Sequence, residues 1–346
     1  MMDAASWTLS TSILVFIACT VAIGVFGTRI TGVVDQLADR TGIGEALAGA
    51  VLLGASTSLG GSVLSVVAAW NDNADLALGN ALGGIAFQFA ALAIADFAYR
   101  RANLEHAAAS AENLMQSGLL IALLALILIA PTLPDITLWG IHPITPIMLG
   151  VYGYGLRMIR TAHDQPMWWP RRTTETREDE PEDLDKVPAL APLAIRFALL
   201  MLALGAAGYT MEYAASNIAQ ATWLSFSAVG VLFTATATSL PELVTSVAAV
   251  RRGALTLAVG GIIGGNAFDT LFTAASDIAY REGSIYHAMP ESVAFWAALT
   301  LLMSAVLLLG LIRREKEGPA GVGVESVVLL ALYVAGVALL LGMGAE

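Results

Sequence analysis

Apolar residues run along this chain in long blocks, separated by short clusters of Gly, Pro, Asn, Asp and Arg. The blocks fall near 10–28, 44–70, 75–98, 113–131, 137–156, 191–211, 222–250, 255–280, 291–311 and 324–343. Each is close to the ~20 residues that a helix needs to cross the hydrocarbon core of a bilayer. The pattern predicts an all-α integral membrane protein of about ten transmembrane helices, the longest of them tilted or broken.

Composition agrees. Hydrophobic residues make up 57% and charged residues 13% of the 346 positions, and the mean hydropathy is +0.73; soluble domains carry about a quarter charged residues. The first apolar block has no basic leader and no clear small-residue cleavage site, so it reads as a retained helix. Cys19 is the lone cysteine, which excludes a disulfide within the chain and argues against a metal-thiolate cluster.

Basic residues are retained on the cytoplasmic side. When ten helices are threaded, sixteen of the seventeen Lys and Arg residues fall on one side and only Arg281 on the other. Both termini are then outside. The expected organisation is a first five-helix half over 1–156, a cytoplasmic acidic linker over 157–190 and a second five-helix half over 191–346. An odd number of helices per half makes the second half cross the membrane in the opposite sense. This is the inverted repeat of many secondary transporters. Much of the net charge of −11 comes from Glu175, Glu178, Asp179, Glu180, Glu182, Asp183 and Asp185, a run that reads as a solvated loop. Nothing in the chain suggests a nucleic-acid groove, and no nucleophile-base pair or phosphate loop points to an enzyme or a cofactor.

A repeated motif carries the chemistry. Thr57-Ser58-Leu59-Gly60-Gly61-Ser62 and Gly83-Gly84-Ile85-Ala86-Phe87-Gln88 in the first half recur 181 positions later. There they read Thr238-Ser239-Leu240-Pro241-Glu242-Leu243 and Gly264-Gly265-Asn266-Ala267-Phe268-Asp269. The repeats cover about 44–96 and about 225–277. Two carboxylates, Glu242 and Asp269, therefore stand where the first copy has Gly61 and Gln88. Both are expected near the bilayer midplane, where an uncompensated charge is costly and marks function. No Lys or Arg lies in either helix core, so a cation or a proton is the natural counter-charge. Thr238 and Ser239 place hydroxyls on the face of Glu242, and Pro241 leaves the Ala237 carbonyl without its helical donor. Such oxygens suit hard cations. Taken alone, the Thr-Ser pairs also fit hydroxyls bonded to their own backbone. Asn80 and Asn266 fit helix-to-helix bonding, and most of the repeat glycines fit close packing. Asp96 and Asp277, near helix ends, are expected to be solvated at the interface. His106, His142, His163 and His287 fall in loops or near the surfaces.

The second repeat resembles the second alpha-repeat of the calcium/cation antiporter superfamily, which includes the sodium/calcium exchangers, and the resemblance extends over essentially the whole chain. It implies calcium and sodium or proton sites at the membrane centre, switched by sliding of the first and sixth helices. Carried over by position, Glu242 is the second-repeat glutamate, Asp269 the accompanying acid, and Thr57, Ser58, Thr238 and Ser239 the hydroxyl ligands, with Gln88 lining the site. Gly61 replaces the first-repeat glutamate, and Gly84 and Gly265 replace serines, so the first repeat is degenerate. The expected function is a secondary active cation antiporter exchanging calcium or a related cation for sodium or protons, and the resemblance implies a bacterial inner membrane. The alternatives are a monovalent sodium/proton antiporter and a degenerate cation-binding membrane protein that does not transport.

Overall fold

The structure is a computed structural model that describes residues 7–41, 54–98, 103–164, 188–252, 255–315 and 323–343. Ten main helical segments are present among the described residues: α1 (Leu9–Thr41), α2 (Gly54–Thr57 and Leu59–Trp70), α3 (Ala74–Ala98), α4 (Ala111–Ile129) and α5 (Ile144–Asp164) in the first half. The second half has α6 (Leu190–Ala221), α7 (Phe226–Thr238 and Leu240–Arg252), α8 (Leu255–Asp269 and Leu271–Ala279), α9 (Glu291–Arg313) and α10 (Val324–Met343). Six of these are individually long and apolar enough to span a membrane, and the bent α7 makes seven. The described part of α2 is short, α5 carries Arg157 and Arg160, and α8 is interrupted at Thr270.

The repeat is built into the whole framework. α1 starts at Leu9 and α6 at Leu190, α3 covers 74–98 and α8 covers 255–279, and both pairs are 181 positions apart, like Gln88 and Asp269. The starts of α4 and α9, and of α5 and α10, keep that spacing to within one residue. Five helices per half make the two halves an inverted pair.

Several boundaries move from their sequence expectations, each for a local reason. α1 continues past 28 to Thr41, because hydropathy falls at Arg29 while nothing breaks the helical backbone. α5 starts at Ile144 rather than 137, because Leu138 and Ile141 close a tight turn with Trp139 and Gly140 at positive φ (56° and 79°). The same helix runs on to Asp164, into the stretch read as linker; positions 165–187 of that stretch lie outside the described residues, as do 44–53 of the first repeat.

α3 lies at the centre, 89% buried over its apolar window, and α1 and α6 lie outside, each only 17% buried. That outer pair meets the rest through Ile23, Ile30, Leu64, Leu204, Met211 and Ala237. Small residues set the closest approaches. A methyl group on Gly83 of α3 would fall 2.6 Å from the Val231 backbone of α7, so only glycine permits that crossing, as in membrane helix packing generally.

Asp96 and Asp277, expected to be solvated, are instead 2% and 0% exposed. Asp96 accepts the backbone N–H groups of Leu104 (2.9 Å) and Gly323 (3.1 Å). Asp277 accepts those of Ile285 (3.3 Å) and His142 (2.8 Å), and the Thr145 hydroxyl at 2.6 Å. Leu104 pairs with Ile285, and His142 with Gly323, under the same repeat. The two aspartates thus perform one structural task twice, tying the end of the third helix of each half to the turn that follows and to the approach of a fifth helix. Interfacial solvation is displaced because backbone donors of those turns have no helical acceptor and the carboxylate supplies one. Asp96→Ala and Asp277→Ala should each lower stability by about 2–3 kcal/mol, by leaving buried donors unpaired. Thermal unfolding in detergent reads this directly, and an unchanged Tm for both variants would remove the aspartates from the framework.

Candidate functional site

Both repeats break their helix at the same serine. Ser58 (φ −85°, ψ 3°) interrupts α2 and Ser239 (φ −95°, ψ 8°) interrupts α7, where the axis bends by 45°. Pro241 accounts for the second break, since it offers no N–H to Ala237 and starts a new helical segment well. Gly60 and Gly61 follow the first. Glu242 is therefore in the first turn of a helical segment, where the unpaired N–H groups and the helix dipole favour a negative charge. Asp269 ends the first segment of α8 immediately before the break at Thr270.

The breaks bring the sequence candidates together. Glu242 and Asp269 are 7% and 3% exposed. The Ser58 hydroxyl donates to Glu242 Oε1 at 3.1 Å, from one repeat to the other, and the Thr57 hydroxyl also hydrogen-bonds this carboxylate. Gln88 Nε2 donates to Asp269 Oδ2 at 2.7 Å and lies 3.5 Å from Ser239 Oγ. Gln88 and Asp269 are repeat equivalents, so their mutual hydrogen bond places them at the pseudo-two-fold axis. A donor there can meet an acceptor, whereas two ionised acids would repel. Three oxygens in this group, Glu242 Oε2, Asp269 Oδ1 and Gln88 Oε1, are buried without a hydrogen-bond partner.

A cavity with about 10 Å³ of space for the centre of a water-sized sphere lies between Ser58, Gly61, Asn80, Thr238, Ser239 and Asp269, with Gly84 and Phe272 also in its wall. That is room for a single small particle. Thr57 and Thr238 divide their hydroxyls between the site and their own helices, donating to the Gly54 and Ala235 carbonyls at 3.4 and 3.3 Å. The local-backbone reading of these threonines thus describes part of their bonding.

Asn80, an amide that fits helix-to-helix bonding, also lines the cavity. Its Nδ2 donates to the Gly61 carbonyl (3.1 Å) and Ser65 Oγ (2.9 Å), while its Oδ1 accepts from Thr238 (3.3 Å). A signal existed in the repeat: Asn80 aligns with Gly261, the reverse of the Gly61–Glu242 mismatch. The Gly61 side is closed, since a Cβ there would lie 3.3 Å from both Thr238 Cβ and Phe272 Cε2. Asn266 is fully buried with both amide atoms unpaired but does not line this cavity.

Among the described residues, no histidine lines the site. His142 and His287 face each other at 5.4 Å between ring centres in the turns before α5 and α9. Burial pushes the His142 imidazole below its ordinary pKa, and its Nδ1 accepts the Ile144 N–H. His106 contacts the Arg314 carbonyl, and the His163 side chain lies outside the described residues. Among the described residues, no three His, Cys, Asp or Glu side chains form a metal cluster. The centre is instead two carboxylates, hydroxyls and side-chain amides, a set of hard oxygens.

The comparisons with known proteins cover nearly all of this framework. The chain is 26% identical over 299 residues to the Inner membrane protein YrbG of Escherichia coli (strain K12), covering 86% of this chain and 87% of YrbG. Among solved structures, the sodium-calcium exchanger NCX_Mj superposes with a TM-score of 0.59 at 19% identity, covering 96% of this chain and 99% of that one. The H+/Ca2+ exchanger CAX gives a TM-score of 0.69 at 12% identity, covering 96% and 85%. The profile described as Sodium/calcium exchanger protein matches residues 11–156 and 192–342, two segments that follow the two five-helix halves. Repeat, fold and sequence profile thus converge, and the chain is a member of the sodium/calcium exchanger family.

Proposed function

We propose that the protein exchanges calcium, or a closely related cation, for sodium or protons by alternating access, and that Glu242 and Asp269 bind the transported ion. One observation carries this reading. Two buried carboxylates keep an unpaired oxygen each, Asp269 in the wall of a small cavity and Glu242 bonded to Ser58 of that wall, and among the described residues no basic side chain lines the cavity. Ionised groups in that position need a counter-charge, and a mobile one makes the site a transport site. Ser58, Ser239 and Thr238, with Thr57 and Gln88 behind them, are the supporting ligands. Asn80 holds the Gly61 side of the cavity in shape. α1 and α6, the peripheral pair, are the helices that would slide against the core.

Two formal negative charges match one divalent ion or one monovalent ion plus a proton. The crowding at Gly61 favours a smaller ligand set than two symmetric glutamates would provide, and this is the specific support for a monovalent sodium/proton exchanger as the second reading. A non-transporting scaffold accords less well with the structure, because it would retain the burial cost of Glu242 for no return.

Radioactive calcium uptake into proteoliposomes, driven by an outward sodium gradient and separately by a proton gradient, tests the reading. We expect gradient-driven uptake by the wild type, reduced at least about tenfold by Glu242→Gln, since loss of a charged ligand is worth more than 1.4 kcal/mol. No uptake under either gradient by inserted wild type, together with sodium/proton exchange in the same vesicles, would transfer the assignment to the monovalent reading. Asn80→Ala should leave the fold intact and raise the apparent KM for the transported cation about tenfold, as expected for loss of one or two positioning hydrogen bonds. An unchanged KM would show that Asn80 only packs helices.

The membrane is proposed to be a bacterial inner membrane, as for YrbG, with both termini outside and the 157–190 linker cytoplasmic. Cysteine substitutions near position 175 should then be reached by an impermeant thiol reagent only after the membrane is opened. Labelling in intact cells would reverse the orientation.

A further inference from the structure

A further buried acid stands apart from the central pair and from the two framework aspartates. Glu212 lies on α6, nine positions before its end, and is 1% exposed. Its Oε2 accepts Asn71 Nδ2 at 3.2 Å, and its Oε1 accepts Ser216 Oγ at 2.9 Å. The Asn73 amide also bonds the carboxylate and lies 3.4 Å from Ser216 Oγ. None of the ion pairs among the described residues involves Glu212.

Glu212 differs from the other buried acids. Asp96 and Asp277 hold backbone N–H groups and recur across the repeat. The repeat equivalent of Glu212 is Thr31, which bonds its own helix at Gly27 O (3.1 Å), so the framework does not require an acid there. The partners of Glu212 are side chains that can turn. Rotated, the amides of Asn71 and Asn73 present oxygen instead of N–H. With Ser216 Oγ and the carboxylate they offer five oxygens and one formal negative charge. A single carboxylate is neutralised by a single positive charge, whereas a divalent ion would leave an unbalanced charge in a low-dielectric setting.

One member of this group, Asn71, borders open space. Asn71 lines a cavity of about 280 Å³ between α2 and α6, whose other walls are Val66, Val67, Trp70, Tyr209 and Tyr213. The two tyrosine hydroxyls are 3.1 Å apart, and aromatic faces tolerate a passing cation. We propose that Glu212, Asn71, Asn73 and Ser216 form a second cation site, for one monovalent cation, sodium or the proton, beside the α2–α3 turn and separate from the central carboxylate pair. Occupying it would change how tightly α6 is held to that turn.

The full-length chain carrying Glu242→Gln and Asp269→Asn separates this proposal from the reading of the central site. The signal is tryptophan emission from Trp70 in the cavity wall, defined as the part lost on Trp70→Phe. It is followed during a sodium chloride titration against choline chloride at fixed pH, and during a pH titration in choline chloride. A saturating response that Glu212→Gln removes supports the site; a response to sodium at fixed pH names sodium, and a response to pH alone names the proton. Ser216→Ala should move the midpoint about tenfold, as expected for loss of one ligand oxygen. Absence of both responses, or a response that survives Glu212→Gln, overturns the proposal. If Glu212→Gln does not yield monodisperse protein, unchanged midpoints in both Ser216→Ala and Asn71→Ala overturn it as well.

Discussion

Two carboxylates buried in a membrane protein without a basic partner are the constraint to which the rest of the structure answers. Each such charge costs at least about 2.5–3.5 kcal/mol at a helix centre. The fold lowers that cost where it can. Glu242 is set in the first turn of a helical segment, Ser58 is brought from the opposite repeat to donate to it, and Gln88 rather than a second acid meets Asp269 at the axis. What remains are unpaired oxygens on Glu242, Asp269 and Gln88 and a small cavity lined by Asp269, a set that a cation would complete.

The inverted repeat explains how a chain of this size assembles such a site. Breaking both α2 and α7 at an equivalent serine gives two helix starts that meet across a pseudo-two-fold axis, each bringing hydroxyls. The framework is symmetric and the chemistry is not. Asp96 and Asp277 repeat their task faithfully at opposite ends, whereas Gly61 and Glu242, or Asn80 and Gly261, diverge where ions would bind. Asymmetry at the centre would suit a scaffold kept for alternating access and a ligand set adjusted for its cargo.

Much of this was legible in the sequence because the physics that sets it is local or periodic. Ten apolar blocks become ten helices, since a bilayer-length run has few other folded forms, and the offset of the motif extends to the helix starts. Glu242 and Asp269 stood out because acids in apolar blocks are costly. Other features depended on tertiary neighbours. The burial of Asp96 and Asp277 could not be read from their places near helix ends, because their partners lie in turns up to 227 residues away. Asn80 looked like an ordinary bridging amide until the closed Gly61 side gave it a cavity to line. Glu212 lies outside the repeated motif, and besides Ser216 on its own helix its donors include Asn71 from a turn 141 residues distant, which no local pattern shows.

In the proposed function a cation, not a protein side chain, balances Glu242 and Asp269. Thermal unfolding with and without calcium and sodium, in a Glu212→Gln background so that only the central pair can respond, tests it most directly. A ligand that binds the folded state raises Tm according to its concentration relative to Kd. One of these ions should raise the Tm, and adding Glu242→Gln and Asp269→Asn should remove the response while making the ion-free protein more stable. An equal ion-dependent rise in both proteins, or a loss of stability on neutralising the pair, would contradict it.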